Sequence, residues 1–305
     1  MQRAYIDALA QLAQSDENVV SVVADNGTDY DWLFQRDFPD QFYNVGIAEQ
    51  NMVAMAAGLS DMGLIPFIST AGAFLLYRAY EFIRNDICLG HKNVKMVATG
   101  SGVSISNLGP THHTTEDIAL LRTLPGLTVF SPSTPEEVRI AVQEAYQTDG
   151  PVYIRLGMTG EHNFAAPSDS LFVANCLLEG TDVAICCTGS IGQTVLCAAE
   201  ALQKSGLSAG VYAFPCLNPL DCDTVNRISQ QARLLVTVED HNQDCGLGGL
   251  IASVLAGKAS HAPLLTIGTN GFAVGYGQQD QVRNQNSLSA DAIAHRIQEK
   301  WEAIV

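Results

Sequence analysis

Glu49 is the residue of this sequence best placed for acid–base chemistry. It lies near the start of a segment, Gly46 to Gly58, that is built from small and apolar residues at helical spacing. No Lys or Arg occurs between Arg36 and Arg78. Desolvation favours the neutral form of a carboxylate that enters an apolar helix without a cation nearby in sequence, and such acids concentrate at functional sites. The alternative is a solvated carboxylate at the positive end of the helix dipole.

Three aromatic side chains follow in the segment 69–82: Phe74, Tyr77 and Tyr80. Positions i, i+3 and i+6 lie along one side of a helix. A stripe of this kind is more typical of a packed core, although an aromatic face can also stack on a flat ring. By themselves, these residues leave a core and a cofactor pocket open as alternatives.

Two adjacent histidines, His112 and His113, follow a turn that Gly109-Pro110 imposes. An acid-rich helix start follows at Glu116. A solvent-facing loop is the ordinary interpretation of such a pair. A catalytic role for either ring depends on the motif that surrounds it.

These residues depend on a scaffold of alternating strands and helices. Short apolar runs rich in β-branched residues are separated by helix-like stretches, which predicts parallel sheets covered by helices. The first series has predicted strands at 19–24, 64–70, 94–100, 127–132 and 151–157. The second series has predicted strands at 182–190, 208–215, 232–240 and 263–268, and helices at 192–204, 246–257 and 289–304.

The polar, irregular stretch 158–170 separates the two series. We therefore predict an α/β fold of two domains, with a first domain at 1–165, a linker at 166–180 and a second domain at 181–305. A chain of 305 residues, 47% of them apolar, is long enough to bury two ordinary cores.

The composition argues against several classes of function. Acidic residues outnumber basic ones by 32 to 16, so neither nucleic acid nor an anionic membrane is an expected partner. The apolar runs end well before the roughly 18 residues of a membrane helix. The start of the chain lacks a basic-then-apolar signal, so we expect a cytoplasmic protein. The eight cysteines show no paired CxxC spacing, and we expect no metal ligands in this chain.

Two motifs resemble those of a known enzyme family. The string VGIAEQNMVAMAAGLS is similar to the hallmark of the pyrimidine-binding domain of transketolases and of 1-deoxyxylulose-5-phosphate synthases. GPTHH at 109–113, with the strand after it, resembles the transketolase GPTH motif. The resemblance extends to the transketolase C-terminal domain from about residue 180 onward. It implies a thiamine-diphosphate-binding domain, with helices on both faces of a parallel sheet, followed by a C-terminal α/β domain.

The resemblance implies a cofactor pocket in the first domain. Glu49 would hydrogen-bond a ring nitrogen of the aminopyrimidine of thiamine diphosphate and favour the tautomer that activates the thiazolium carbon. Phe74, Tyr77 and Tyr80 would surround the pyrimidine ring, with Tyr77 standing where Phe is common. Asp25, which follows an apolar strand, would orient the cofactor or contact a partner, and a simple turn residue is the competing interpretation.

The resemblance also implies substrate contacts. His112 would reach the reacting oxygens of a ketose, and His113 is the weaker candidate. Arg155 and Arg3 resemble positions that bind the terminal anion of the substrate, for which a bidentate guanidinium is suited. A surface salt bridge is the alternative for each of the two arginines.

The pyrophosphate and Mg²⁺ half of these enzymes, marked by Gly-Asp-Gly and an Asn-rich stretch, has no counterpart in the sequence. The glycine cluster at 246–249 is weak evidence for phosphate binding. The resemblance therefore implies an N-terminal transketolase subunit that holds the diphosphate and the Mg²⁺ ligands, in an α2β2 assembly. This chain would be the catalytic β subunit of a split transketolase.

Two positions depart from the family pattern and bear on the substrate. Leu108 stands where transketolases have an Asp that contacts sugar hydroxyls, and Gly100 stands where they have a His that helps to bind the terminal phosphate. An apolar side chain in place of an acceptor disfavours a hydroxyl that needs a partner. We therefore expect a branched or modified anionic ketose, such as an apulose phosphate or a sulfo-sugar, rather than xylulose 5-phosphate or ribose 5-phosphate.

Three alternatives remain open. The β subunit of a 2-oxo acid dehydrogenase has the same architecture, and 1-deoxyxylulose-5-phosphate synthase normally carries all three domains in one chain. GPTHH and the string AFLLYRAY favour transketolase over the dehydrogenase. The third alternative is a non-catalytic, transketolase-like scaffold, although a scaffold has no need of a carboxylate in an apolar helix.

Overall fold

The computed structural model describes residues 1–25, 29–158, 162–167 and 170–304. The first half alternates helices and strands in the order α1 Gln2–Ser15, β1 Val19–Val23, α2 Asp29–Asp37, β2 Phe42–Asn44, α3 Glu49–Asp61, β3 Ile65–Ala71, α4 Gly72–Phe82, β4 Lys95–Thr99, α5 Asp117–Leu121, β5 Thr128–Phe130, α6 Pro135–Gln147 and β6 Val152–Arg155. The second half continues with β7 Asn175–Leu178, β8 Val183–Thr188, α7 Gly192–Lys204, β9 Ala209–Ala213, β10 Cys216–Asn218, α8 Cys222–Gln231, β11 Leu234–Asn242, α9 Leu247–Leu255, β12 Leu264–Thr269, α10 Gln279–Gln285 and α11 Ala290–Glu302. Among the described residues, no helix combines the length and the apolar character that crossing a bilayer requires.

The strands form two mostly parallel sheets. The first has the order β10-β5-β6-β4-β3-β1-β2, and only β10 is antiparallel to its neighbour. The second has the order β12-β11-β8-β9-β7, and only β7 is antiparallel to its neighbour. Parallel neighbours require crossover connections, which the intervening helices supply. The predicted two-domain α/β fold is confirmed.

Every predicted strand coincides with an observed one, but three short strands were not predicted. They are β2, β7 and β10, each of three or four residues. Such short strands contain too few positions to show the period of two. The strand β7 lies inside the segment predicted as a linker, and β10 of the second half joins the edge of the first sheet.

The two domains share a continuous apolar core. One cluster of buried side chains runs from Val22 of the first sheet and Met52 of α3 to Cys186 and Leu235 of the second sheet. The candidate catalytic residues lie outside this core, at the edge where parallel strands end. There β1 lies between β2 and β3, so the two strands that follow β1 in sequence lie on opposite sides of it. Such a switch point opens a crevice that commonly binds ligands.

Candidate active site

Glu49 is the first residue of α3, just after the switch point. Ala48 provides no side-chain cap, so a carboxylate in the first turn stabilises the free backbone N–H groups electrostatically. Glu49 is only 3% exposed. Its Oε1 accepts a hydrogen bond from Nη1 of Arg78 at 2.9 Å. The carboxylate is therefore buried and paired with a cation that its local sequence did not identify.

Arg78 connects Glu49 to the aromatic stripe. It lies on α4 one turn after Phe74, and its Cζ is 4.3 Å from the centroid of the Phe74 ring. The Arg78 side chain is 47% exposed. The i, i+4 spacing of an aromatic and a cation on one helix face is the signal that could have identified Arg78.

The three aromatic residues share one side of α4, as their spacing predicts. The Tyr77 hydroxyl donates to Oε2 of Glu116 at 2.6 Å. The Tyr80 hydroxyl donates to the carbonyl oxygen of Leu120 at 3.1 Å. Both hydroxyls are thus engaged along α5 and the residues before it. Phe74, at the start of the stripe, contacts Arg78 of the Glu49 pair.

The two adjacent histidines have different environments. His112 is half-buried, and its ring meets Phe74 edge to face with centroids 5.0 Å apart. Its Nδ1 lies 3.0 Å from the hydroxyl of Thr111. His113 is buried, with Nδ1 3.4 Å from the carbonyl oxygen of Ala273, and burial lowers the pKa of His113. His112 therefore joins the Glu49 and Phe74 group, whereas His113 is a neutral anchor to the second domain.

A segment of the second domain, residues 272–279, packs against the loop that carries His112. The backbone N–H of Gly277 donates to the carbonyl oxygen of Ser106 at 3.2 Å. The Tyr276 ring lies so close to the loop that an added Cβ at Gly109 would be 2.1 Å from it. The second domain therefore positions this loop, a role that the sequence did not indicate.

Arg155 is placed differently from what its motif suggested. It is only 1% exposed at the end of β6. Its Nε donates to Oδ2 of Asp117 at 2.8 Å, and its Nη2 donates to the carbonyl oxygens of Thr114 at 3.2 Å and Asp240 at 2.9 Å. Burial acts to lower the pKa of Arg155, but Asp117 outweighs it and holds the pKa above its ordinary value. A guanidinium enclosed in this way does not fit the predicted contact with a substrate anion, and it joins the two domains instead.

Two predicted residues lie at the periphery of the group. Asp25 is exposed, and its Oδ1 accepts from Nδ2 of Asn44 at 3.4 Å, which links the ends of β1 and β2 near the turn before Glu49. Its φ of +52° is left-handed, a conformation that Asp tolerates in turns. Arg3 lies on α1 with its side chain 63% exposed, and its Nε donates to Oδ1 of Asp7 at 2.8 Å. Among the described residues, the contacts of Arg3 do not join it to the Glu49 and His112 group.

The structure shows the surroundings of Leu108 and Gly100, the two positions that depart from the family pattern. Leu108 is 50% exposed, so its apolar side chain faces solvent in the free chain. Gly100 has a φ of +75°, and an added Cβ would lie 2.3 Å from the side chain of Ile105. The loop therefore has no room for a histidine at position 100 unless Ile105 moves.

Comparison with known proteins identifies the two domains. Residues 1–158 match the family described as transketolase, pyrimidine binding domain, and residues 173–293 match the transketolase C-terminal domain. The chain is 33% identical over 307 residues to a Methanocaldococcus jannaschii protein described as the C-terminal section of a transketolase, with 99% of this chain and 96% of that protein covered. It is 32% identical to one of the subunits of the apulose-4-phosphate transketolase of Actinobacillus succinogenes, with 94% of each covered.

A solved structure gives the same result for the fold of the whole chain. The inactive β4 tetramer of a split-gene transketolase matches with a TM-score of 0.87 at 33% identity, covering 100% of this chain and 98% of that chain. The two domain matches follow one another in the order that the two sheets have here. The chain therefore belongs to the transketolase family.

Proposed function

We propose that this chain is the catalytic β subunit of a two-subunit, thiamine-diphosphate-dependent transketolase, which transfers a two-carbon ketol unit from an anionic ketose to an aldose. The observation that carries the proposal is the grouping of Glu49, Phe74 and His112 at the carboxyl edge of the first sheet. A buried carboxylate, an aromatic face and an accessible imidazole suit a site that holds a pyrimidine ring beside a reacting carbonyl.

The contacts of Arg78 support the fit of the pyrimidine ring. Its planar guanidinium lies over the Phe74 ring while it donates to Glu49. Phe74 and Glu49 thus accommodate the guanidinium of Arg78, which is flat and carries nitrogen donors. An aminopyrimidine is also flat and carries nitrogen atoms, so it fits the same two side chains. Phe74 would stack on the ring and Glu49 would hold its nitrogen. Tyr77 and Tyr80 would complete the pocket wall, with their hydroxyls fixed by the bonds described above.

Each residue of the group has a proposed share in the reaction. When bound, thiamine diphosphate supplies a carbon nucleophile and an electron sink for cleavage of the bond next to a carbonyl group. Glu49 would hydrogen-bond the pyrimidine nitrogen and share a proton with it. His112 would bind carbonyl and hydroxyl oxygens of the sugar and move protons there. Asp25 would orient the cofactor or contact the partner subunit.

The substrate is proposed to be a branched or modified ketose that carries a phosphate or a sulfonate. The exposed apolar side chain of Leu108 and the crowded backbone at Gly100 support this choice. A relative named for apulose-4-phosphate is consistent with it. Arg3 remains the candidate for the terminal anion, because its single surface ion pair is easily exchanged.

The diphosphate and Mg²⁺ ligands are proposed to come from an N-terminal transketolase subunit in an α2β2 assembly. The similarity to a C-terminal section and to one separate transketolase subunit, each covered over almost its full length, supports a separate partner chain. The similar β4 tetramer described as inactive is consistent with activity that depends on this partner.

Thiamine diphosphate with Mg²⁺ is expected to bind tightly only to a mixture of this chain with its N-terminal subunit. Each chain supplies part of the site, so neither alone should match the affinity of the pair. Titration calorimetry on this chain, the partner and the mixture measures the difference. Tight binding to this chain alone would contradict a partner-held diphosphate, and no binding to a stable complex of both chains would contradict the cofactor assignment.

Analysis of the products separates transketolase from the 2-oxo acid dehydrogenase alternative. The reconstituted complex is expected to lengthen an aldose by two carbons at the expense of a ketose. Release of carbon dioxide from a 2-oxo acid, without transfer to an aldose, would favour the dehydrogenase.

Gly109→Ala is expected to lower turnover because it displaces the loop that carries His112. The added Cβ would lie 2.1 Å from the Tyr276 ring at a backbone φ of +73°. A displacement of about 1 Å at a reacting group can lower a rate by about 100-fold. Gly126→Ala is the control, because it has a φ of +75° but its added Cβ would meet its nearest atom, in His91, at 3.8 Å. If both variants lost turnover equally, the loss in Gly109→Ala would come from backbone strain and not from displacement of the loop.

A further inference from the structure

We infer that Arg78 occupies, in the free subunit, the place that the pyrimidine ring takes when the cofactor binds, and that it must leave Glu49 before the site can act. This inference rests on the proposed function. The guanidinium makes two contacts, the hydrogen bond to Glu49 and the cation–π contact with the Phe74 ring, and the proposed function gives both of these places to the pyrimidine ring.

The two contacts cannot be shared with a bound ring. Nη1 of Arg78 lies 2.9 Å from Oε1 of Glu49, and its Cζ lies 4.3 Å from the Phe74 ring centroid. A ring that stacks on this face and bonds this oxygen would overlap the guanidinium. Arg78 therefore acts as an internal competitor for the cofactor's pyrimidine ring.

The proposed acid–base role of Glu49 also requires the exchange. A carboxyl group that shares a proton with a ring nitrogen has to be protonated for part of the cycle. A cation at hydrogen-bond distance stabilises the opposite, ionised form. While Arg78 is bound, the free subunit thus keeps its buried carboxylate paired and its aromatic face covered. This arrangement avoids leaving an unpaired buried charge, which is strongly unfavourable.

Once the pyrimidine ring takes over the hydrogen bond to Glu49, Arg78 can leave with little loss of stability, because its side chain is already 47% exposed. An ion pair with a partly exposed partner and a cation–π contact are each worth about a two- to fivefold change in an equilibrium constant. Competition from Arg78 should therefore weaken cofactor binding by about tenfold. The released guanidinium would be hydrated, as an exposed arginine is.

The test uses thiamine as the probe and this chain alone, so that no partner is needed. Arg78→Met keeps most of the length of the side chain but removes the N–H donors and the charge. Titration followed by NMR is expected to show that the Arg78→Met chain binds thiamine about tenfold more tightly than the unmodified chain. Arg84→Met is the matched control, because Arg84 is also exposed and donates to Asn85 outside the site, and it should leave the affinity unchanged.

The possible outcomes separate this inference from the proposed function. Equal affinities of the two chains for thiamine, weaker binding by the Arg78→Met chain, or no binding by either chain would overturn the inference that Arg78 occupies the place of the pyrimidine ring. The same gain is expected for thiamine diphosphate in the reconstituted complex. If that complex transfers ketol units but Arg78→Met brings no gain in affinity, the inference fails while the proposed function stands. If the complex does not bind thiamine diphosphate at all, the proposed function itself fails.

Discussion

Glu49→Gln is expected to lower the turnover of the reconstituted enzyme by about 10²- to 10⁴-fold, the usual share of a positioned acid–base group. Glutamine has nearly the same size, so the pocket keeps its shape, but an amide cannot hold or release the proton. The affinity for thiamine diphosphate should change much less than turnover. Steady-state kinetics and calorimetry, measured separately on the same complex, give the two quantities.

The control for this substitution is Glu81→Gln on α4. Glu81 is an exposed carboxylate of the same domain that accepts a hydrogen bond from Asn85. A surface substitution of this kind changes the free energy of unfolding by about 0.5 kcal/mol or less. Because Glu81 is exposed and bonds Asn85 rather than the Glu49 group, turnover should stay close to that of the unmodified enzyme. If Glu49→Gln kept turnover within about tenfold of the unmodified enzyme while the cofactor was bound, Glu49 would not be the proton-holding group.

Arg155→Met is expected to destabilise the chain by about 3 to 5 kcal/mol, the range for removal of one partner from a buried ion pair. The substitution leaves the carboxylate of Asp117 buried without its cation, and its Oδ1 already lacks a hydrogen-bond partner. The carbonyl oxygens of Thr114 and Asp240 lose a donor at the same time. Because Asp240 belongs to the second domain, the loss also loosens the domain interface. Urea unfolding of the isolated chain measures the change in free energy.

Two further variants test the cause of this destabilisation. Asp117→Asn in the Arg155→Met background should recover part of the loss, because it removes the unpaired buried charge. Arg139→Met should cost about 0.5 kcal/mol or less, since its ion pair with Glu136 lies at the surface. A loss below about 1 kcal/mol for Arg155→Met, accompanied by a large rise in KM for the ketose, would restore the substrate role that the motif suggested.

The candidate site could be predicted from sequence in part. Glu49 was identifiable because an acidic residue is unusual in an apolar helical segment, and this pattern can be read within a single turn of helix. His112 was identifiable from its motif rather than from its spacing. Arg155 shows the limit of this approach, because the residue at the end of a strand can face a crevice or a domain interface. The choice depends on Asp117 and Asp240, which lie 38 and 85 residues away along the chain.

By itself, the sequence determined the alternation of strands and helices, the apolar helix that begins at Glu49 and the one-sided aromatic stripe. Each of these depends on residue types within a single turn or strand, where periodicity is visible. Only the tertiary structure decided that Arg78, which is 29 residues from Glu49, pairs with it. It also decided that a segment of the second domain fixes the loop of His112. Contacts of this kind arise from the packing of elements that are distant in sequence, and a local sequence pattern does not predict which distant side chains will be in contact.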